Sequence, residues 1–145
     1  MQQRVTKEAM DREPLSWVFQ LGAIIQTLDG DLRQHCNVSL EDYRILVILA
    51  QGPCVQGLLA DRLQRADGVV SRWLTRLGYE RCLKRQPSET DRREIVLMIT
   101  RRGRNHMKKA HEHLMDRLSI LAVDLSNAEK AVLYRVEKSA SRVMT

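Results

Sequence analysis

The positive charge of this sequence is concentrated in one segment. Residues 61–104 hold twelve Lys and Arg against six Asp and Glu, whereas the rest of the chain holds twelve of each kind, so this segment carries the whole formal net charge of +6. Clustered cationic side chains can hold a polyanion along its phosphates. Stacking on single-stranded bases needs aromatic side chains, which make up only 4% of the residues. Double-stranded nucleic acid is therefore the predicted partner.

The cysteines are the second group of residues that could do chemistry. Cys36, Cys54 and Cys82 are odd in number and form no CxxC pair, which argues against a disulfide framework. Redox sensing requires an exposed thiol that ionises easily. Cys54 follows Gly52-Pro53 in a predicted exposed turn, so it is the candidate redox residue. The simpler interpretation is that all three cysteines are buried and inert.

The histidines and the short catalytic motifs give no support to an enzyme. His106, His111 and His113 lie on one predicted helix without the three- or four-residue spacing that two metal ligands on a helix need. The sequence also lacks a Walker loop, a GxGxxG loop and a Ser/His/Asp motif. We therefore expect solvated histidines, no metal, no cofactor and no catalysis.

The hydrophobic pattern predicts the elements that position these residues. Apolar stripes at three- and four-residue steps predict helices, and a change to alternating residues predicts strands. Ser39 with Asp42, and Ser126 with Glu129, resemble capping boxes, and Thr100 is expected to cap another helix. The predicted helices are 15–35, 40–50, 56–64, 67–80, 101–124 and 126–143, and the predicted strands are 82–86 and 94–100.

Three helices followed by a two-stranded hairpin form a winged helix-turn-helix. The predicted fold is mainly α with a small β-hairpin wing, and residues 37–100 form the DNA-binding lobe. Residues 14–36 and 101–145 are expected to be dimerisation helices, because a domain this small cannot cover their long apolar stripes. Residues 1–13 have no apolar periodicity and are predicted to be a flexible tail.

The basic residues fall on the parts of this fold that would meet DNA. A recognition helix enters the major groove, and a wing reaches the narrower, more negative minor groove. Arg92 and Arg93 at the predicted hairpin tip suit the minor groove. The residues expected to hold phosphates are Arg62, Arg65, Arg72, Arg76, Lys84 and Arg85.

The hairpin also resembles a known wing signature. Asp91-Arg92-Arg93, followed by five residues and then by Ile99-Thr100 and Gly103, is similar to the DxR(x5)LTxxG signature of MarR-type transcriptional regulators, with Ile in place of the usual Leu. The resemblance covers about residues 15–143. It continues through Tyr43-Arg44, Gly52-Pro53, Leu59-Ala60, Leu63 and Val70-Ser71-Arg72.

The resemblance implies a homodimer that binds pseudo-palindromic duplex DNA. Its DNA-facing helix would contribute Asp67, Gly68, Val69, Ser71 and Arg72. The same resemblance implies that Arg93 reaches the minor groove and that Asp91 braces the wing through an ion pair.

An effector site is also implied by the resemblance. A small aromatic acid or other carboxylate would bind between the dimer helices and the DNA-binding lobe, near Trp17, Tyr43 and Arg44. Arg44 would pair with the carboxylate of the effector. The alternative is that Trp17 and Tyr43 are core residues and that Arg44 braces the helices.

Departures from the family pattern keep a second class of function open. Gly68 and Val69 stand where Ser or Thr is usual, and Arg81 stands where Gly often follows the recognition helix. We predict a dimeric regulator of transcription that binds specific double-stranded DNA, a repressor relieved by a small-molecule effector. The alternatives are a winged-helix protein-interaction module without specific DNA reading and a thiol-based redox-sensing regulator.

The sequence predicts a cytoplasmic protein without a membrane partner. No segment has the roughly 18 consecutive apolar residues that a membrane span needs. Residues 1–13 are too polar for a signal peptide.

Overall fold

The computed structural model describes residues 16–123, 126–128, 131, 134 and 135, without the side chains of 16, 17, 20 and 121–123. The predicted tail and most of the last predicted helix, including Glu129 of its capping box, lie outside the described residues. The chain divides into two compact units, Met1–His111 and Glu112–Thr145. The winged core lies within the first unit.

The order of helices and strands confirms the predicted winged helix-turn-helix. Each predicted boundary that the structure describes agrees with the observed one to within one residue. No described helix combines the length and the hydrophobicity of a membrane span. The elements are α1 (Ser16–Cys36), α2 (Leu40–Ala50), β1 (Cys54–Val55), α3 (Gln56–Leu63), α4 (Asp67–Tyr79), β2 (Leu83–Pro87), β3 (Ile95–Ile99) and α5 (Arg101–Val123).

The core lies where the apolar faces of α2, α3 and α4 meet the base of the hairpin. On α4, the residues with three- and four-residue spacing are buried, as the stripe predicted. The main buried core residues are Ile45, Leu46, Leu49, Leu59, Leu63, Val70, Leu74, Leu77, Cys82, Leu83 and Leu97.

The predicted capping box begins α2. The Ser39 hydroxyl oxygen accepts the Asp42 N–H at 3.0 Å, and the Asp42 carboxylate accepts the Ser39 N–H at 2.9 Å. Both residues are buried. Two N–H groups that would otherwise be buried without a partner are thereby satisfied.

The last turn of α4 ends in a residue with a left-handed backbone. Arg81 has a φ of 59°, and its N–H donates to Gly78 O at 2.9 Å while the Cys82 N–H donates to Leu77 O at 2.9 Å. This pair of bonds is a Schellman motif, in which glycine is the usual left-handed residue because it has no Cβ. The chain uses arginine here, so the turn carries backbone strain.

Replacing Arg81 with glycine is expected to raise the free energy of unfolding by about 0.5–1 kcal/mol. Relief of the left-handed strain is worth roughly 1–2 kcal/mol, and the greater freedom of glycine in the unfolded chain offsets part of it. Urea denaturation at one fixed protein concentration measures the change. Asn37→Gly is the matched control, because Asn37 has a φ of 54° and asparagine tolerates this conformation better. An equal increase in the free energy of unfolding in both variants would contradict the prediction that Arg81 carries the greater backbone strain.

The start of α5 is tied to the chain that follows α4. The Thr100 hydroxyl donates to Arg81 O at 2.7 Å and accepts the Gly103 N–H at 3.0 Å, so Thr100 caps α5 as predicted. The Thr100 N–H donates to Cys82 O at 3.0 Å. These bonds fix the base of the wing between α4 and α5.

Candidate nucleic-acid interface

The wing is a hairpin with an ordered tip. β2 and β3 pair in antiparallel register from Leu83 opposite Ile99 to Pro87 opposite Ile95. Residues 88–94 form the tip, where the Ser88 N–H donates to Glu94 O at 2.9 Å. The exposed cations of the wing are Lys84, Arg85, Arg92 and Arg93.

Asp91 braces the tip differently from the way that the resemblance implied. Its carboxylate accepts the Arg93 N–H at 2.9 Å, and its carbonyl accepts the Glu94 N–H at 3.0 Å. Within residues 16–123, the Asp91 carboxylate makes no ion pair, so the expected ion pair is a backbone hydrogen bond instead. This short-range turn fixes the backbone at Arg93 and leaves the Arg93 side chain exposed.

A third strand holds the wing against the helices. β1 pairs with β3, with Cys54 opposite Leu97 and Val55 opposite Val96, which gives the strand order β1-β3-β2. Val55 immediately precedes α3, so the hairpin is fixed to the start of that helix. The predicted sheet had only two strands. A two-residue strand is too short to show an alternating pattern in the sequence.

The exposed face of α4 carries the residues predicted to meet DNA. Asp67, Gly68 and Arg72 are exposed, and Val69 and Ser71 are half-buried. Ala66 precedes the helix and provides no side-chain cap. The N–H groups of the first turn are therefore not engaged by a capping side chain, and the dipole of the helix favours an anion such as a phosphate at this end.

Arg76 lies one turn after Arg72, and its guanidinium is bound to residues at the start of α2. Its guanidinium donates to both carboxylate oxygens of Asp42 and, at 3.1 Å, to the Ser39 hydroxyl. The Asp42 side chain is only 4% exposed and that of Arg76 is 40% exposed. Arg76, which was expected to hold a phosphate, therefore neutralises a buried carboxylate at the start of α2 in this structure.

The cations of α3 are more accessible. Arg62 and Arg65 are exposed. Arg65 also lies 3.7 Å from the Glu41 carboxylate, a contact that contributes little because both groups face water. Both arginines remain candidates for phosphate contacts.

The wing and the start of α4 line one cleft. A cavity of about 450 Å³ is bounded by Val55, Gln56, Gly57, Leu58, Asp67, Arg93, Glu94 and Ile95. The arginine at the wing tip and the first residue of α4 therefore lie on the same side of the lobe. Elements that would enter two neighbouring grooves of a duplex must have this relation.

The proposed effector residues are engaged with other protein groups. The Tyr43 hydroxyl lies 2.8 Å from His111 Nδ1, and the two rings stack with their centroids 6.2 Å apart. Arg44 pairs with the Glu41 carboxylate at 3.2 Å. The side chain of Trp17 lies outside the described residues. Tyr43 thus links α2 to α5 and is half-buried, whereas the ion pair of Arg44 lies within α2.

Cys54 is buried, contrary to its predicted place in an exposed turn. Its relative exposure is 5%, because it lies in β1 and joins the core cluster. Burial raises the pKa of the Cys54 thiol, and the nearby Arg62 guanidinium only partly opposes this shift. Burial likewise raises the pKa of Cys36 and of Cys82. The two requirements for a redox sensor, exposure and easy ionisation, are therefore not met at Cys54.

Comparison with known structures gives the same fold over most of the chain. BldR, a transcriptional regulator from Sulfolobus solfataricus, has a TM-score of 0.78 and 22% identity, covering 97% of this chain and 99% of its own. AbsC, a MarR family transcriptional regulator from Streptomyces coelicolor, has a TM-score of 0.80 and 23% identity, covering 92% of this chain and 95% of its own. A mutant of MarR from E. coli, complexed with operator DNA, has a TM-score of 0.74 and 19% identity, with coverages of 93% and 99%.

Sequence comparison finds a family domain in part of the chain. The MarR family matches residues 38–95. The chain carries a MarR family domain. A search of curated proteins finds no match. The MarR family consists of transcriptional regulators rather than enzymes, as the sequence predicted.

The MarR family domain contains most of the candidate interface. Its matched range begins just before the α2 capping box and ends at the first residue of β3. All the predicted DNA-contact residues from Arg62 to Arg93 lie within it. The first turn of α4 contains Gly68 and Val69, which offer no side-chain hydroxyl to a phosphate or base.

Proposed function

We propose that the chain is a homodimeric regulator of transcription that binds specific double-stranded DNA, acting as a repressor. The observation that carries the proposal is the single cleft lined by the wing-tip Arg93 and by Asp67 at the start of α4. The exposed Arg72 lies on the same recognition helix. The operator complex of the similar E. coli protein supports the same use of the fold. Such a protein would work where the DNA is held, which is the cytoplasm in the organisms of the similar proteins from Sulfolobus solfataricus and E. coli.

Two grooves would be contacted by different elements. Ser71 and Arg72 on α4 suit the major groove, while Arg92 and Arg93 suit the minor groove. Lys84, Arg85, Arg62 and Arg65 would hold the flanking phosphates. We exclude Arg76 from these contacts, because its guanidinium is bound to Asp42.

A homodimer would bring two such interfaces to a pseudo-palindromic operator. On α1, Val18, Phe19, Ile24 and Ile25 have relative exposures of 43–73%. Four water-exposed apolar side chains on one helix are typical of a surface that is buried against another protein. Residues 14–36 and 101–145 would supply the interface, with one two-fold axis relating the two recognition helices.

An effector would act by favouring one separation of the two recognition helices. A small aromatic acid or other carboxylate near Trp17, Tyr43 and Arg44 would have to displace the Glu41 carboxylate from Arg44. Its effect on DNA affinity equals its difference in affinity for the two arrangements of the dimer. Titration of small aromatic acids into the protein–DNA complex tests this part of the proposal.

A protein-interaction module is the second candidate, and Gly68 and Val69 at the start of the recognition helix favour it. Selection of genomic fragments at several salt concentrations separates the two functions. A regulator retains one set of related sites at salt concentrations that release other DNA. A module shows salt-sensitive binding to all fragments without a preferred sequence, and that outcome would overturn the proposal.

Replacing Arg93 with alanine is expected to weaken operator binding by about 1–3 kcal/mol without changing the stability of the protein. The exposed guanidinium would lose its contact in the minor groove, and the slope of log affinity against log salt would fall by about 0.9 for each lost phosphate contact. Fluorescence anisotropy with a labelled operator measures both quantities.

Lys108→Ala is the matched control for Arg93→Ala. Lys108 is an exposed cation on α5, outside the wing and the recognition helix, and its replacement removes the same charge. Equal losses in the two variants would show that only the net charge of the protein matters. Unchanged affinity in Arg93→Ala would show that the wing tip does not reach DNA.

A further inference from the structure

Three potential metal ligands meet where α4 ends and α5 begins. A carboxylate oxygen of Glu80, the sulfur of Cys82 and a ring nitrogen of His106 all lie within 4.8 Å of one another. Cys82 is 1% exposed, and Glu80 and His106 are half-buried. These are one oxygen, one sulfur and one nitrogen donor, a set that suits a borderline-soft divalent cation.

The backbone holds these three residues together. Glu80 and Cys82 flank the left-handed Arg81. The hydrogen bonds of the Schellman turn therefore fix the backbone to which both side chains are attached. Cys82 O accepts the Thr100 N–H at 3.0 Å. The first turn of α5 thereby lies against the backbone of Cys82. His106, on the second turn of α5, comes within reach of the same point.

We propose that Glu80, Cys82 and His106 bind Zn²⁺, with water or a small ligand in the fourth position. A tetrahedral zinc ion places its ligand atoms roughly 3.3–3.8 Å apart, given bonds of about 2.3 Å to sulfur and 2.0–2.2 Å to nitrogen and oxygen. Because the three ligand atoms lie within 4.8 Å of one another, side-chain movements of about 1 Å bring them into this range. Binding replaces the thiol proton of Cys82, which goes to solvent, and the thiolate with the Glu80 carboxylate balances the charge of the ion.

The position of the site couples the metal to the elements that would read DNA. Glu80 ends the recognition helix, Cys82 leads into β2 of the wing, and His106 belongs to α5. An ion bound to all three would limit the movement of the helix relative to the wing. Metal binding itself is independent of the proposed function, whereas this effect on DNA affinity rests on it.

Cobalt and zinc titrations of the full-length, reduced protein test the site. We expect one Co²⁺ per chain, with a thiolate-to-cobalt charge-transfer band and the visible bands of tetrahedral coordination. Zn²⁺ should displace Co²⁺ and raise the thermal midpoint, because it binds the folded state. No stoichiometric binding, or binding without the thiolate band, would overturn the proposal.

Variants identify the ligands. Glu80→Gln and His106→Ala are expected to weaken Zn²⁺ binding at least roughly 10- to 100-fold, the loss that even an outer-shell partner causes. Both residues are only half-buried, so these variants should fold even if Cys82→Ser does not. His111→Ala is the matched control on the same helix, because His111 belongs to neither of the two groups of potential metal ligands among the described residues. It should bind Zn²⁺ as tightly as the unchanged protein. Undiminished binding in His106→Ala would overturn the proposal.

DNA affinity with and without one equivalent of Zn²⁺ tests the coupling separately. The coupling is supported if Zn²⁺ changes the operator affinity of the unchanged protein and has no effect on that of His106→Ala. Equal affinity in both states would overturn the coupling while the spectroscopic result still decides the metal site. Failure of the protein to bind any DNA would count against the proposed function, and the cobalt spectrum would be unaffected.

Discussion

Replacing Gly103 with alanine is expected to lower the free energy of unfolding by about 3 kcal/mol or more. A Cβ on residue 103 would lie 2.1 Å from Cys82 O, 2.9 Å from Ile99 Cγ1 and 3.0 Å from the Cys82 carbonyl carbon. Two of these atoms belong to the backbone and cannot rotate away. α5 would have to move by more than about 1 Å, which would break the hydrogen bonds of Thr100 to Arg81 and Cys82. Urea denaturation at a fixed protein concentration measures the loss.

Gly78→Ala provides the control for this prediction. An added Cβ at Gly78 would meet no atom within 4 Å, and the residue lies inside α4. Alanine there should leave stability unchanged or raise it by up to about 1 kcal/mol, because glycine is the poorer helix former. A small loss in Gly103→Ala, similar to the change at Gly78, would show that α5 can move away from Cys82 without cost.

Gly103 also explains a position of the wing signature in physical terms. The signature ends in a glycine because the helix after the wing begins in direct contact with the backbone that enters the wing. Thr100, three residues earlier, provides the cap and bonds to the same stretch of chain. Sequence resemblance identified the two residues, but only the three-dimensional contact gives the reason for them.

The elements themselves could be predicted because their signals are local. Apolar stripes locate the helices, and a capping box such as that of Ser39 and Asp42 marks the start of one to the exact residue. The change in period after α4 marks the hairpin. Each of these signals involves residues within a few positions of one another, where spacing determines geometry.

The contacts that the sequence analysis missed are between distant residues. β1 has only two residues and is identified by its pairing with β3. The burial of Cys54 follows from that pairing. The neighbouring Gly52 and Pro53 indicate a turn and do not indicate that the next residue is buried. One difference is local: the resemblance implied an ion pair for Asp91, whereas its carboxylate accepts the N–H of Arg93, two residues later, in a backbone turn.

The proposed zinc ligands were missed for the same reason. The histidine spacing on α5 argues against a metal site made by one helix. His106 instead meets Glu80 and Cys82, which lie more than twenty positions earlier in the chain. Only the approach of α5 to the end of α4 brings the three together.

Replacing Arg76 with alanine is expected to lower the free energy of unfolding by about 2–3 kcal/mol. Removing one partner of a buried ion pair costs roughly 3–5 kcal/mol, and the partial exposure of the Arg76 side chain reduces the effect. The Asp42 carboxylate would keep the Ser39 N–H but lose the guanidinium that now bonds both of its oxygens. The capping box of α2 would then hold a buried charge without a cation. Thermal or urea denaturation measures the change.

Arg72→Ala separates this structural role from DNA binding. Arg72 lies one turn earlier on α4 and is exposed, so its replacement removes the same charge without affecting Asp42. We expect its stability to change by no more than about 0.5 kcal/mol, while operator affinity falls. Equal stability of the two variants would show that Arg76 does not support Asp42 in solution. We expect the folded Arg76→Ala protein to be destabilised but still to bind the operator. That result would show that Arg76 stabilises the fold while Arg72 binds DNA. The two arginines lie one turn apart on the same helix, but only Arg76 faces a buried carboxylate.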